Sequence, residues 1–235
     1  MLDIKTIYED ENLLVADKPA RVVVFPEGNT REKTLINYLL EKCPKLAEIG
    51  SPPRFGVVHR LDKDTSGVLL IAKTEKALIF FQKQFKNREV EKKYVCLVEG
   101  NIKDDSGEIK TLIARSSRDT RKQTIYALGE DAPESAREAI TEYKVLKKFQ
   151  NYTLLEVEIK TGRRHQIRCH LSYLQHQVAG DKLYGFKNSE IPKGLTRQFL
   201  HAEYIKIKLL NGETKEFNSD LPDELRQVLD NLKKL

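Results

Sequence analysis

His59-Arg60-Leu61-Asp62-Lys63-Asp64-Thr65-Ser66-Gly67 stands between two apolar stretches, Val57-Val58 before it and Val68-Leu69-Leu70-Ile71-Ala72 after it. A charged segment bracketed in this way reads as a loop held between buried strands, and such a loop can aim a side chain. Thr65 and Ser66 offer hydroxyls to nearby backbone and Gly67 admits a positive φ, so the turn after Asp62 carries its own local support. Asp62 is the residue this arrangement presents. Taken alone, the segment is equally well a surface turn with solvated charges.

Working outward, three further segments carry chemistry. Tyr94 to Gly100 (YVCLVEG) reads as a strand preceded by the charged stretch Arg88 to Lys93. Thr161-Gly162-Arg163-Arg164-His165-Gln166-Ile167-Arg168-Cys169-His170-Leu171 follows a strand over Tyr152 to Lys160 and then takes helical spacing through Ile167, Leu171 and Leu174. Thr161 and Gly162 would sit where the chain turns into that helix, putting backbone N–H groups and several cations at one place, which suits an anion. Gly180-Asp181-Lys182-Leu183-Tyr184-Gly185 is a glycine-bracketed loop, and Leu200-His201-Ala202 opens a strand leading to Leu210.

Other strand-like runs lie at Ile4–Tyr8, Leu13–Ala16, Val22–Phe25, Ile109–Ala114, Thr124–Ala127, Ile140–Leu146 and Ile205–Leu210. Helical periodicity is clearest in Leu35–Leu40, in Ala77–Phe85 behind a Thr74 cap, after Arg164, and at the C-terminus. Asn211-Gly212 signals a hairpin to Phe217, and Asp220 with Pro222 fits an N-cap and first-turn proline for the last helix. Many strands with few helices favour α+β over a doubly wound fold. The 235 residues, 40% of them hydrophobic, can bury a core and allow one domain of two lobes, residues 1–235, with no linker-like boundary.

A net charge of +6 favours a polyanionic partner, but 41 basic residues are set against 35 acidic ones, so the bias is moderate. The polar stretch Ser116 to Glu138, with Arg115, Arg118, Arg121 and Lys122, reads as an excursion that touches such a polyanion or as a solvated hairpin tip. Cys43, Cys96 and Cys169 are far apart and form no CxxC pair, against a zinc ribbon or a disulfide framework. His165 and His170 are five apart, off the i,i+4 spacing of helical metal ligands, so no metal is expected from His59, His165, His170 and His201. No apolar run is long enough to span a membrane and no signal-peptide pattern follows Met1, which makes a cytoplasmic address the default.

Four of these segments, in this order and spacing, resemble the RluA-like pseudouridine synthase family. HRLDKDTSGVLLIAKT at His59 to Thr74 is similar to that family's catalytic motif, and the resemblance continues through KKYVCLVEG at Lys92 to Gly100, TGRRHQIRCHL at Thr161 to Leu171 and GDKLYG at Gly180 to Gly185. LLVADKPARVVVFPEG at Leu13 to Gly28 looks like its opening strand and turn, so the likeness runs from Leu13 to about Leu210. It implies the pseudouridine synthase α+β fold, a long mixed, largely antiparallel bent sheet with a central cleft, flanked by helices and loops. The opening strand leaves no preceding segment for the accessory RNA-binding domain of some relatives, so RNA recognition is expected of the catalytic domain itself.

The resemblance also implies roles. Pseudouridine formation detaches uracil from C1′ of ribose, turns it and rejoins it through C5, which calls for no redox cofactor, metal or nucleotide energy source. Asp62 would be the catalytic carboxylate, attacking carbon or acting as a base through a glycal. An unpaired carboxylate in a dry cleft has its pKa raised, so a cation beside it is needed, and the family's pairing arginine is matched here by Arg168. Tyr94 aligns with the tyrosine that lies against the target base; its plain alternative is a half-buried strand residue. Arg60 matches an arginine that can fill the space of the flipped nucleotide, or else contacts phosphate. Lys63, Arg163 and Arg164 serve as phosphate contacts or as solvated charges. Leu200 aligns with an apolar position near the active site, which core packing would explain equally well.

The chain departs from the family pattern at Asp17 (usually asparagine), Arg21 (commonly glycine), Phe25 (often histidine) and Arg164 (typically threonine). These changes bear on substrate choice more than on catalysis. The expected activity is isomerisation of uridine in structured RNA, ribosomal RNA first and transfer RNA close behind, by a monomer. Two other classes would use parts of the same sequence. A noncatalytic RNA-binding module would bind RNA without product, and a carboxylate-dependent nucleic-acid hydrolase would leave strand breaks or free base.

Overall fold

The computed structural model describes residues 4–27, 32–186, 188–233 and 235, so Gly28, the end of the opening motif, lies outside the described residues. The chain divides into two compact units, residues 1–91 with 202–220 and residues 92–201 with 221–235.

In the first unit β1 (Lys5–Glu9) and β2 (Leu13–Lys18) form an antiparallel hairpin. Its turn is held by Asp10, whose Oδ1 accepts the N–H groups of Asn12 and Leu13 at 2.7 and 2.8 Å. β2 pairs antiparallel with β3 (Ser66–Ala72), from Leu13 opposite Ala72 to Lys18 opposite Gly67. Every residue of β3 is buried, as its unbroken apolar run requires. On this sheet packs α2 (Glu75–Lys86), which buries Ala77, Leu78 and Phe81; the Thr74 hydroxyl caps it by accepting the Ala77 N–H at 3.2 Å. α1 (Leu35–Lys42) buries Leu35, Ile36 and Leu39 and leads into a 3₁₀ turn, Pro44–Glu48. The unit closes with the later part of β9 (Leu200–Lys208) and β10 (Thr214–Asn218), an antiparallel hairpin through Asn211-Gly212.

The second unit contains the antiparallel order β4 (Glu91–Glu99), β8 (Tyr152–Ile159), β7 (Arg137–Lys148), β5 (Ser106–Arg115), β6 (Gln123–Tyr126). Two helices belong to it, α3 (Gln166–Tyr173) and α4 (Asp223–Asp230). One apolar cluster joins Val95, Leu97, Phe149 and Phe199 to Leu225 and Val228 of α4. A second joins Ile113 and Ala139 to Cys169 of α3 and Tyr184.

The α+β class expected from the sequence is the one observed. Two local expectations need correction. Val22–Phe25 is not a strand: the carbonyls of Val23 and Val24 accept the N–H groups of Leu35 and Ile36 at 2.8 and 3.0 Å. The β-branched run thus supplies the opening turn of α1 with acceptors that a helix start lacks. At α4 the N-cap is Pro222, not Asp220, and Asp223 and Glu224 occupy the first turn, where carboxylates complement the helix dipole. Among the described residues all three cysteines are free thiols, and no helix is long and apolar enough to cross a membrane.

Candidate active site

Asp62 lies in the first unit on a loop fixed from several sides. Its carbonyl accepts the Thr65 N–H at 3.1 Å, closing the turn before β3, while Leu61 is buried beneath it. Upstream, His59 accepts the Leu70 N–H on Nε2 at 3.1 Å and stacks on Phe85 with ring centroids 4.9 Å apart. Downstream, Lys18 is fully buried at the end of β2, and its ammonium donates to the carbonyls of Pro19 at 2.8 Å and Lys63 at 3.1 Å. Gly67 has φ +119°, and a Cβ there would stand 2.1 Å from the Ala202 carbonyl oxygen, so the chain can leave the turn and enter the sheet only as glycine. Asp62 itself is half-buried.

Two of the RNA-contact candidates flank it. Arg60 is exposed, ion-paired with Glu27, and sits with Cζ 5.4 Å from the Phe25 ring centroid; Arg54 stands 5.1 Å from the same ring. Phe25, where histidine is often found in the resembling family, is thus a buried aromatic platform for two guanidinium groups. Lys63 is exposed and pairs with Glu32 at 2.6 Å. Of the other departures, Asp17 accepts the Ser219 hydroxyl at 2.8 Å, and Arg21 is exposed with φ +68°, a left-handed conformation that explains why glycine suits the position.

Tyr94, Arg168 and Leu200 belong to the second unit. Tyr94 is buried on β4 opposite Val157, and Leu200 is buried at the start of β9. Two residues before Tyr94, and so on the same face of β4, Lys92 is buried; burial pulls its ammonium down to about 8 despite the opposing charge of Glu158.

α3, which carries Arg168, is docked by its polar face. Gln166 donates from Nε2 to the Ile140 carbonyl and to the Thr141 hydroxyl, both at 2.9 Å, and its Oε1 accepts the Thr161 hydroxyl at 2.8 Å and the Arg163 N–H at 3.0 Å. One turn on, His170 is fully buried between Thr141 Oγ1 at 2.8 Å and Thr111 Oγ1 at 2.9 Å, and burial pushes its imidazole down to about 4. His165 caps the helix at φ +54°.

Of the cations expected at this turn, Arg163 donates from Nε to the Glu138 carbonyl at 2.9 Å and Arg164 is exposed. Arg168 is buried and makes a bidentate pair with Asp181, Nε to Oδ2 at 2.6 Å and Nη2 to Oδ1 at 2.9 Å, with its Cζ 5.2 Å from the Tyr184 ring centroid. The sequence marked GDKLYG as a loop without assigning Asp181 or Tyr184 a task, and it left Lys18 unremarked. Among the described residues no group of three or more His, Cys, Asp and Glu side chains could hold a metal ion.

Residues 12–173 match the model of the RNA pseudouridylate synthase family, and the chain belongs to that family, whose enzymes are isomerases acting on RNA. It is 45% identical over 196 residues to an uncharacterised RNA pseudouridine synthase of Aquifex aeolicus, covering 83% of this chain and 60% of that one. It is 36% identical over 244 residues to the ribosomal large subunit pseudouridine synthase D of Xanthomonas campestris pv. campestris, covering 99% of this chain and 70% of that one. Among solved structures, human RNA pseudouridylate synthase domain containing 1 superposes with a TM-score of 0.79 at 27% identity, covering 99% of this chain and 89% of that one.

Proposed function

We propose that this protein isomerises specific uridines to pseudouridine in structured RNA, ribosomal RNA of the large subunit before transfer RNA, with Asp62 as the catalytic carboxylate. The observation that carries the reading is the Asp62 turn: a half-buried residue whose backbone is fixed by the Thr65 N–H on its own carbonyl, by the Lys18 ammonium on the carbonyl of the next residue, Lys63, and by a strand entry that admits only glycine. A solvated surface turn needs none of these constraints, whereas a carboxylate that must meet C1′ of a flipped nucleotide does. The name of the Xanthomonas relative supports the preference for ribosomal RNA.

In this reading the C1′–N1 bond of the uridine breaks, the base turns, and C1′ bonds to C5. The C5 proton then leaves as N1 gains one, so atoms and electrons balance without a metal or redox cofactor. Asp62 meets C1′ or takes a ribose proton on the glycal route. Tyr94 lies against the uracil, and Arg168 is the cation that serves the Asp62 carboxylate. Arg60 stands in for the flipped nucleotide, with Lys63, Arg163 and Arg164 on phosphates and Leu200 packing beside the base. The two units act as two lobes of one catalytic domain, working as a cytoplasmic monomer.

The test is pseudouridine mapping in deproteinised total RNA with the wild type and Asp62→Asn, without added metal or cofactor. Product from the wild type alone supports the reading and identifies the RNA. If both are silent on deproteinised RNA and on assembled ribosomal particles while binding RNA equally, the protein is a binding module.

A further inference from the structure

The Gly180-Asp181-Lys182-Leu183-Tyr184-Gly185 loop has no part in the reaction as proposed above, yet it makes the closest contacts of Arg168 described in the second unit. Asp181 Oδ2 accepts Arg168 Nε at 2.6 Å and Oδ1 accepts Nη2 at 2.9 Å, so two parallel bonds fix the guanidinium plane. The same Oδ1 accepts the N–H groups of Leu183 at 2.8 Å and Tyr184 at 3.0 Å, which lock the carboxylate to its own turn. The Asp181 side chain is wholly inaccessible and that of Arg168 is 9% exposed, so neither can relax into water. The Arg168 Cζ also lies over the Tyr184 ring, 5.2 Å from its centroid, and the ring is itself held by its hydroxyl, which accepts the Gln123 N–H of β6 at 2.7 Å and meets His165 Nδ1 at 3.1 Å. The loop can take this course because Gly180 has φ +74°, with a would-be Cβ 2.4 Å from the Arg197 carbonyl.

We propose that Asp181 is the positioning residue for Arg168, holding the guanidinium in one plane with Tyr184 as the second wall, so that the GDKLYG loop serves catalysis without touching the nucleotide. The inference rests on the reading that Arg168 serves the reaction. Burial alone would raise the Asp181 carboxyl, but the hydrogen bond and charge of Arg168 and the Tyr184 and Leu183 N–H groups hold it below the usual carboxylate value. The anchor therefore stays ionised wherever the enzyme works. A surface arginine–carboxylate pair would contribute little orientation, because solvent and side-chain entropy compete with it; a buried, bidentate, turn-locked pair does not have that weakness.

The experiment measures single-turnover tritium release from total RNA labelled at uridine C5, with RNA affinity by filter binding, for wild type, Asp62→Asn, Arg168→Met, Asp181→Asn, Asp181→Glu and the Arg168→Met/Asp181→Asn double variant. Asp181→Asn keeps an acceptor for the Leu183 and Tyr184 N–H groups; it is expected to slow release by roughly 100-fold with RNA affinity within about twofold, the loss typical of a misplaced catalytic group. Asp181→Glu should recover part of the rate. In the double variant, which leaves no buried unpaired charge and keeps the reasoning testable if Asp181→Asn misfolds, the second substitution should add no further loss to that of Arg168→Met.

Wild-type release by folded Asp181→Asn, or independent losses in the double variant, overturns the proposal while leaving the synthase reading intact. So does a fast Arg168→Met beside an inactive Asp62→Asn. Absence of product from the wild type overturns the reading and the proposal together.

Discussion

The buried His170 makes the second unit acid-sensitive, and the size of the effect can be worked out. The imidazole is fully buried, with Nδ1 on the Thr141 hydroxyl, which also accepts Gln166 Nε2–H, and Nε2 on the Thr111 hydroxyl. Protonation would place a charge away from solvent between two neutral hydroxyls, and this burial is what disfavours the imidazolium. An imidazole with a folded pKa below its unfolded one contributes its full stabilisation above the unfolded value and loses it as pH falls. With about 4 in the folded protein and 6.5 unfolded, the linkage relation gives a loss of about 2 kcal/mol between pH 7 and pH 5, and about 3 kcal/mol by pH 4. The carboxylates of the chain add their own acid response, so the comparison is with His170→Gln, which can hydrogen-bond both threonines and does not titrate. Urea unfolding followed by circular dichroism at pH 7, 6 and 5 should show the wild type losing about 2 kcal/mol more than the variant over that interval. Parallel losses in the two proteins would refute the reasoning, as would an NMR titration placing the His170 imidazole near 6.5.

Two further substitutions test the backbone around Asp62. Gly67→Ala sets a Cβ against the Ala202 carbonyl at 2.1 Å, where only backbone could move, at φ +119°; a destabilisation of about 3 kcal/mol or more is expected in thermal unfolding, and a wild-type midpoint would count against it. Arg21→Gly relieves a left-handed residue at φ +68° and should stabilise by about 0.5–1 kcal/mol after the entropy of an added glycine. If the arginine is kept for RNA, filter binding should weaken in the same variant; stability and affinity moving together would argue against that explanation.

What the sequence revealed and what it hid divide along the range of the interactions. The turn after Asp62, the positive φ of Gly67, the Thr74 cap and the Asn211-Gly212 hairpin are decided by neighbours a few residues apart, and each is found where the local pattern puts it. Val22–Phe25 misled because a β-branched run looks the same whether its carbonyls face a strand or a helix start, and only the fold brings Leu35 and Ile36 to it. Asp181 escaped for a related reason. A glycine-bracketed aspartate announces a turn, but its partner lies 13 residues back on a helix, across a loop whose course no periodicity describes. Lys18 was passed over because lysines are rarely buried, and the prior is right until a backbone carbonyl needs an ammonium.

Both overlooked residues do the same physical work. Removing an ammonium or a carboxylate from water costs several kcal/mol per ion, and a partner of good geometry returns most of it and seldom more. A fold selected for stability alone would fill these places with methionine or leucine. The first unit instead buries Lys18 to hold the carbonyl that follows Asp62, and the second buries Asp181 to hold the plane of Arg168. In the second unit the buried charge fixes the plane of Arg168, and in the first it fixes the backbone that follows Asp62; fixed geometry of this kind is what a hydrophobic substitute could not provide. This pattern separates a catalytic reading from a binding one. A surface that only binds RNA gains from mobile cations that can follow the phosphates, whereas a site that must bring a carboxylate to C1′ loses roughly 100-fold for an ångström of misplacement and has reason to spend stability on rigid supports.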